Sequence, residues 1–308
     1  MYSYFTDAEK RFNEAGGMFH LSTKPIEDEV VFASESDYIT VNNLIALAIS
    51  TSKCILLAFA IMSNHLHFIL EGSESDCLLF FEDLKYRLQR VFSRLGRGGI
   101  IPRMKPGLVP INDLKQFRDE LAYVIRNPFV VRFDVNPFNY RWCSGFLYFN
   151  LLLSIEGVPA SKLKGRELRS FVHTREEITV PDNVLVKDGV ANPASFVDYI
   201  RAESFFDHAR QFVMWILKNV EGQVETASRH GELPHLNDDE MLRLSLAICK
   251  KQFKVAGPKM LPEDDKRLLA VKLKNDYSAS NGQIARCANL SPQVVNTLFP
   301  LSTSQKQR

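Results

Sequence analysis

The stretch Ile61-Met-Ser-Asn-His-Leu-His-Phe-Ile-Leu70 decides how this chain folds. In a β-strand successive side chains point to opposite faces, so residues i and i+2 share one. His65 and His67 then lie side by side on one face, and Leu66, Phe68 and Leu70 turn the other way into a core. Two imidazoles on a rigid strand supply most of a divalent-metal site, provided a third ligand is brought to them. Without that ligand, the same pair is a hydrogen-bonded or exposed feature of a sheet.

Working outward, Cys54 to Met62 is nearly continuous in apolar residues and reads as a buried strand, with Ser63-Asn64 turning it back into the histidine strand. Met18 to Thr23 reads as an earlier strand, and Ser36 to Ser50 as a helix opened by acidic residues. Asp76 to Leu95 is a long amphipathic helix whose apolar stripe is Leu78, Leu79, Phe81, Leu84, Leu88 and Phe92. A Gly/Pro-rich stretch, Gly96 to Pro110, breaks the pattern. The order β-α-β-β-α, closed by one more strand, predicts an α+β fold: a ferredoxin-like antiparallel sheet with its helices on one face.

The helix Asp113 to Asn127 bears on the missing ligand. Leu114, Phe117, Leu121, Val124 and Ile125 form its apolar stripe, while Tyr123 and Asn127, at i and i+4, stack on a polar face. Pro128 disfavours helical geometry at the residue before it, which predicts that the helix ends near Asn127. A phenol and an amide thus share one turn. Asn127 could give an oxygen to a metal, and Tyr123 could set its oxygen against a phosphate.

Three segments together resemble a known family. Met62-Ser-Asn-His-Leu-His-Phe-Ile-Leu70, Tyr123-Val-Ile-Arg-Asn-Pro128 and Asn139-Tyr-Arg-Trp-Cys-Ser144 are similar, in order and separation, to motifs of the REP-associated branch of single-tyrosine HUH transposases. The resemblance covers roughly residues 1–145. It implies that His65, His67 and Asn127 bind Mg²⁺ or Mn²⁺. It also implies that Tyr123 is the nucleophile, forming a 5′-phosphotyrosine link to single-stranded or hairpin DNA. A cytoplasmic, nucleoid-associated bacterial location follows from the same likeness, as does action as a monomer or homodimer with no nucleotide cofactor. Within the motifs Ser63 stands where the family has proline and Cys143 where it has serine; Gly98 to Arg103 replaces a Gly-x-Leu-Trp segment.

At 308 residues the chain is long enough for two or three domains. We read 1–145 as catalytic, 146–235 as a connecting region with a hairpin (Ile178 to Pro193, turning at Asp188-Gly189) and one long helix (Phe196 to Val220), and 236–308 as a helical DNA-binding domain. A net charge of +2 is not that of a polycation, so nucleic-acid contacts must come from local patches. Lys85, Arg87, Arg90, Arg94, Arg97, Arg103 and Lys105 form one such patch beside the histidine strand. Gly282 to Phe299 resembles a helix-turn-helix: Ser291 is a good N-cap with Pro292 at the first helical position. Val294, Val295 and Leu298 face inward, leaving Gln293, Asn296 and Thr297 to reach DNA.

The five scattered cysteines lack any CxxC spacing, which fits free thiols in a reducing compartment. The N-terminus lacks the apolar core of a signal peptide, and no apolar run is long enough to span a bilayer. His20, His173, His208, His230 and His235 read as ordinary histidines. Two rival functions stay open: a DNA-binding regulator that has lost catalysis, and a phosphoesterase that activates water without a covalent step.

Overall fold

A four-stranded antiparallel sheet, ordered Ile55–Ile61, Leu66–Glu71, Met18–Thr23, Pro106–Ile111, carries His67, with His65 just before the second of these strands and its ring beside that of His67. The computed structural model describes residues 6–300 apart from 25, 27–29, 132–135, 174–179, 219, 232–235 and 237. His235 and the first two residues of the expected hairpin, 178 and 179, therefore lie outside the described residues. The chain runs α1 (Asp7–Glu14), β1 (Met18–Thr23), α2 (Glu35–Thr51), β2 (Ile55–Ile61), β3 (Leu66–Glu71), α3 (Glu74–Arg94), β4 (Pro106–Ile111) and α4 (Leu114–Val131). The result is a mixed α+β architecture. Its closing strand, β4, lies inside the Gly/Pro-rich stretch, on an edge where prolines at 106 and 110 are tolerated.

Helices cover both faces of this sheet, not one. Leu21, Phe59, Leu66, Phe68 and Leu70 share a core with α2 and α3. Met18, Ala58, Ala60 and Ile69, on the opposite face, share another with Phe12 of α1 and with Phe117, Leu121, Val124 and Ile125 of α4. Strands buried on both faces have no polar side to show, which is why β2 reads as an unbroken apolar run. A register shift between Leu56 and Ala58 puts Leu57 and Ala58 into the same core.

Three expectations about helices are corrected. The buried face of α3 is Cys77, Phe80, Phe81, Leu84, Leu88, Val91 and Phe92, while Leu78 and Leu79 are exposed, because the helix starts two residues earlier and its core-facing stripe is set from Cys77. Helix α4 runs through Pro128 to Val131. The bias against helix before proline is a local preference, and packing of α4 along the sheet overrides it. The expected long helix at Phe196 to Val220 is two helices, α6 (Tyr199–Glu203) and α7 (Ala209–Lys218). Phe205 and Phe206 between them turn into the core, and the His208 ring accepts the Gln211 N–H at 3.0 Å where α7 begins.

Residues after 145 are part of the same packing. The Tyr140 hydroxyl donates to the Ile61 carbonyl at 3.0 Å, Ser144 Oγ accepts the Phe59 N–H at 3.1 Å and Cys143 bridges Ala60, so this segment covers the open edge of β2. β5 (Val158–Pro159), β6 (Leu185–Lys187) and β7 (Val190–Ala191) form a second small sheet. Its hairpin turns at Asp188 and Gly189, with φ of 51° and 79°, the doubly positive pair of a type I′ turn. Asn42 and Asn43 of α2 donate to the Ala191 and Gly189 carbonyls at 2.8 Å each. α5 (Gly165–Val172) lies between β5 and β6 in sequence and contributes Phe171 and Val172 to the α2/α3 core.

The chain divides into two compact units, 1–219 and 220–308. The second consists of α8 (Val220–His230), α9 (Asp238–Ile248), α10 (Glu263–Tyr277), α11 (Asn281–Cys287) and α12 (Pro292–Leu298) around Met241, Leu269, Leu273, Ile284, Cys287 and Val295. All five cysteines are buried free thiols. Among the described residues no helix is long and apolar enough to cross a membrane.

Candidate active site

The histidine face of the sheet is roofed by α4, and the residues that meet there are His20, His65, His67, Glu120, Tyr123 and Asn127. Ser22 of β1 stands opposite His67 and His20 stands opposite Ile69, so His20 is one diagonal step from His67. The His65 and His67 rings are 4.7 Å apart at their centroids. The Tyr123 ring lies 5.7 Å from that of His67 and 6.2 Å from that of His20. Asn127 Nδ2 is 3.0 Å from His67 Nε2. The spatial meeting of strand and helix that the alternation required is therefore present.

His20 and Glu120 were missed by sequence reasoning. His20 is fully buried, with Nε2 at 3.1 Å from His67 Nδ1 and Nδ1 at 2.6 Å from the Glu120 carboxylate. The signal for Glu120 was readable: it precedes Tyr123 by three residues and Asn127 by seven, the spacing of one helix face. His20 gave no comparable signal, because its partners lie on other elements.

One set of tautomers satisfies all these contacts. His20 Nδ1–H donates to Glu120, His67 Nδ1–H donates to His20 Nε2, and the Asn127 amide donates to the His67 Nε2 lone pair. His65 Nδ1–H donates to Asn64 Oδ1 at 2.7 Å. Both strand histidines then carry their basic lone pair on Nε2, the form in which imidazole binds metal. Rotating the Asn127 amide would present its oxygen beside His67 in place of its NH₂. Two imidazole nitrogens and one amide oxygen are a fitting donor set for a divalent cation that keeps further positions open, more suited to Mn²⁺ than to the purely oxygen-seeking Mg²⁺.

The site is closed. His65, Tyr123 and Asn127 are only 7%, 5% and 5% exposed. Behind them α4 is fastened to α7 and to the segment before it: Trp215 Nε1 donates to the buried Asp119 at 2.8 Å, and Arg118 Nε donates to the Phe205 carbonyl at 2.9 Å.

The basic residues expected to form one patch are spread and partly committed. Arg97 donates to Asp37 through both terminal nitrogens, at 3.0 and 2.5 Å, and covers the Phe92 ring. Burial would raise the Asp37 carboxyl, but the Arg97 hydrogen bond and the Ala33 and Ser34 N–H groups outweigh it and hold the pKa at about 2. Arg87 pairs with Asp83 at 2.8 Å, Lys85 lies over the Phe81 ring and Arg90 over the Tyr86 ring. Arg94 donates to the His173 carbonyl at 2.6 Å, whereas Arg103 and Lys105 lie past α3, near the start of β4.

In the second unit, Ser291 caps α12 by accepting the Val294 N–H, Pro292 takes its first position and Val295 is buried. Gln293, Asn296 and Thr297 are exposed. Asn296 also accepts from Asn281 at 2.9 Å and Thr297 donates to the Gln293 carbonyl at 2.9 Å.

No protein-family model matches the chain, and no curated protein matches it. A solved structure described as the REP-associated tyrosine transposase bound to a REP hairpin aligns over 48% of this chain and 82% of its own, at 12% identity and a TM-score of 0.34.

Proposed function

We propose that this chain is a divalent-metal-dependent DNA nuclease and strand transferase of the REP-associated tyrosine transposase type, cutting and rejoining single-stranded or hairpin DNA. The observation that carries this is the convergence of His65, His67, Tyr123 and Asn127 under α4. His65, His67 and Asn127 would hold the cation. A cation held there, Mg²⁺ or Mn²⁺, would supply polarisation of the scissile phosphate and an offset to its developing charge.

The chain's own part is nucleophilic and positional. The Tyr123 oxygen attacks phosphorus as the P–O3′ bond breaks; the phenol loses its proton and the departing 3′ oxygen gains one. The product is a 5′-phosphotyrosine and a free 3′-hydroxyl. Phosphodiester energy is retained, so the same steps in reverse rejoin a strand. Glu120 and His20 hold the His67 ring from behind. In this reading residues 1–145 form a ferredoxin-like HUH catalytic domain, supported by the strand order β2-β3-β1-β4. Residues 236–308 read target DNA through a helix-turn-helix presenting Gln293, Asn296 and Thr297, while Lys85, Arg90, Arg94, Arg103 and Lys105 neutralise backbone phosphates and Arg87 and Arg97 stay with Asp83 and Asp37. Residues 146–235 connect the two.

The burial of Tyr123 favours one alternative, a DNA-binding regulator in which the site stays shut. Incubation with single-stranded hairpin DNA and Mn²⁺ separates them. The transferase yields an SDS-resistant protein–DNA adduct that Tyr123→Phe abolishes. Binding without adduct or cleavage leaves the regulator, and cleavage without adduct points to attack by water.

A further inference from the structure

We infer that the cleft between α3 and α5 is a second nucleic-acid contact surface, where Arg94, Arg166 and Arg169 grip backbone phosphates of a single strand and Tyr86 stacks on a base. It rests on the DNA reading above only for the identity of the polyanion. Arg166, Arg169 and Tyr86 carried no role in the sequence reading, because α5 lies far along the chain from α3.

The cleft has a volume of about 650 Å³ and is lined by Val91, Arg94, Leu95, Arg166, Arg169 and His173, together with Ser170. Among the described residues no carboxylate lines it. Elsewhere Arg97, just past α3, is matched by Asp37, and Arg87 within α3 by Asp83. Arg166 and Arg169 are exposed and, among the described residues, their guanidinium groups make no hydrogen bond or ion pair. Arg94 is held at the cleft by the His173 carbonyl, 2.6 Å from Nη1. Guanidinium groups that share a cleft without a counter-charge repel one another, and an anion joining them relieves that repulsion. Planar guanidinium forks match phosphate oxygens two at a time.

A smaller cavity of about 150 Å³ adjoins, sharing Val91 and His173 and adding Tyr86, Arg90 and the paired Arg87 and Asp83. Tyr86 is 59% exposed, with the Arg90 guanidinium 5.6 Å from its ring centre. His173 Nε2 is buried without a hydrogen-bond partner, an unspent polar atom at the seam of the two cavities. Tyr86 and Arg94 lie eight residues apart on one helix, about 12 Å along its axis. An exposed aromatic ring on a basic surface is how proteins hold single strands without reading sequence. A phosphopeptide or a lipid headgroup would use the arginines but not the ring.

The test is oligonucleotide binding by the full chain, followed by fluorescence anisotropy across a salt series. Arg166→Ala/Arg169→Ala should weaken an oligothymidine ten- to a hundred-fold and flatten the log–log salt dependence by about 1.4, since each single-strand phosphate contact contributes about 0.7. Tyr86→Ala should weaken oligothymidine about ten-fold but leave an abasic oligonucleotide of equal length unchanged. All these side chains are exposed, and circular dichroism checks that the fold survives. Unchanged affinity in the double variant, with the Tyr123 adduct still forming, overturns the cleft and spares the active site. Loss of affinity in the double variant without any adduct in the parent protein supports the cleft and overturns the nuclease. Equal losses for Tyr86→Ala on both oligonucleotides overturn the stacking role.

Discussion

The two faces of the four-stranded sheet use the same strands for different ends. Toward α2 and α3, β1 and β3 present Leu21, Leu66, Phe68 and Leu70, all fully buried and apolar. Toward α4, the intervening residues His20, Ser22, His65 and His67 are also buried, yet they are polar: His20 bonds to Glu120 of α4 and to His67, His67 to Asn127 of α4, and His65 to Asn64. Desolvating polar groups costs free energy unless their hydrogen bonds are remade, so the second face is held by a chain of matched donors and acceptors. The first needs only volume and shape. One layer stabilises the strands, and the other uses their rigidity to fix side chains for chemistry.

Truncating the apolar face should separate the two roles most sharply. Phe68→Ala should destabilise the fold by about 3–5 kcal/mol through lost burial and a cavity, read as a lowered urea midpoint, while Mn²⁺ affinity of the remaining folded protein stays put. A change of under 1 kcal/mol would mean that the two faces are not divided in this way.

On the polar face the expected order reverses. Glu120→Gln keeps an oxygen to accept the His20 N–H but removes the charge behind it, so Mn²⁺ affinity measured by calorimetry should fall about ten- to a hundred-fold. Its cost in stability should stay near 1 kcal/mol. If the affinity is unchanged, Glu120 and His20 are core filler and not supports of His67.

The smallest effect concerns acid. The Asp37 carboxyl is held at about 2, below its unfolded value. Its stabilising contribution is therefore complete above pH 4 and lost as pH falls from about 4 toward 2. Arg97→Ala removes the side-chain hydrogen bond that lowers it, and the acid-unfolding midpoint should move up. An unmoved midpoint would show that the Ala33 and Ser34 N–H groups suffice.

Much of this was legible along the chain. The i, i+2 alternation of His65 to Leu70, the apolar stripe of α4, the Asp188-Gly189 turn and the Ser291-Pro292 helix start all rest on contacts within a few residues, and each is present. The failures have a common physical source. Helix α4 continues through Pro128, the aromatic segment breaks between α6 and α7, and Leu78 and Leu79 face solvent because long-range packing outweighs local propensity at those sites.

By itself the sequence determined which residues share a strand face or a helix face, and hence that two imidazoles stand together and that a phenol and an amide stand together. Only the tertiary structure decided that these pairs meet. It also recruited His20, 47 residues before His67, and Glu120, 100 residues after His20. Periodicity is a property of one element's backbone. Which helix roofs which face of a sheet is settled by burial across both layers at once, and no window along the chain contains that information.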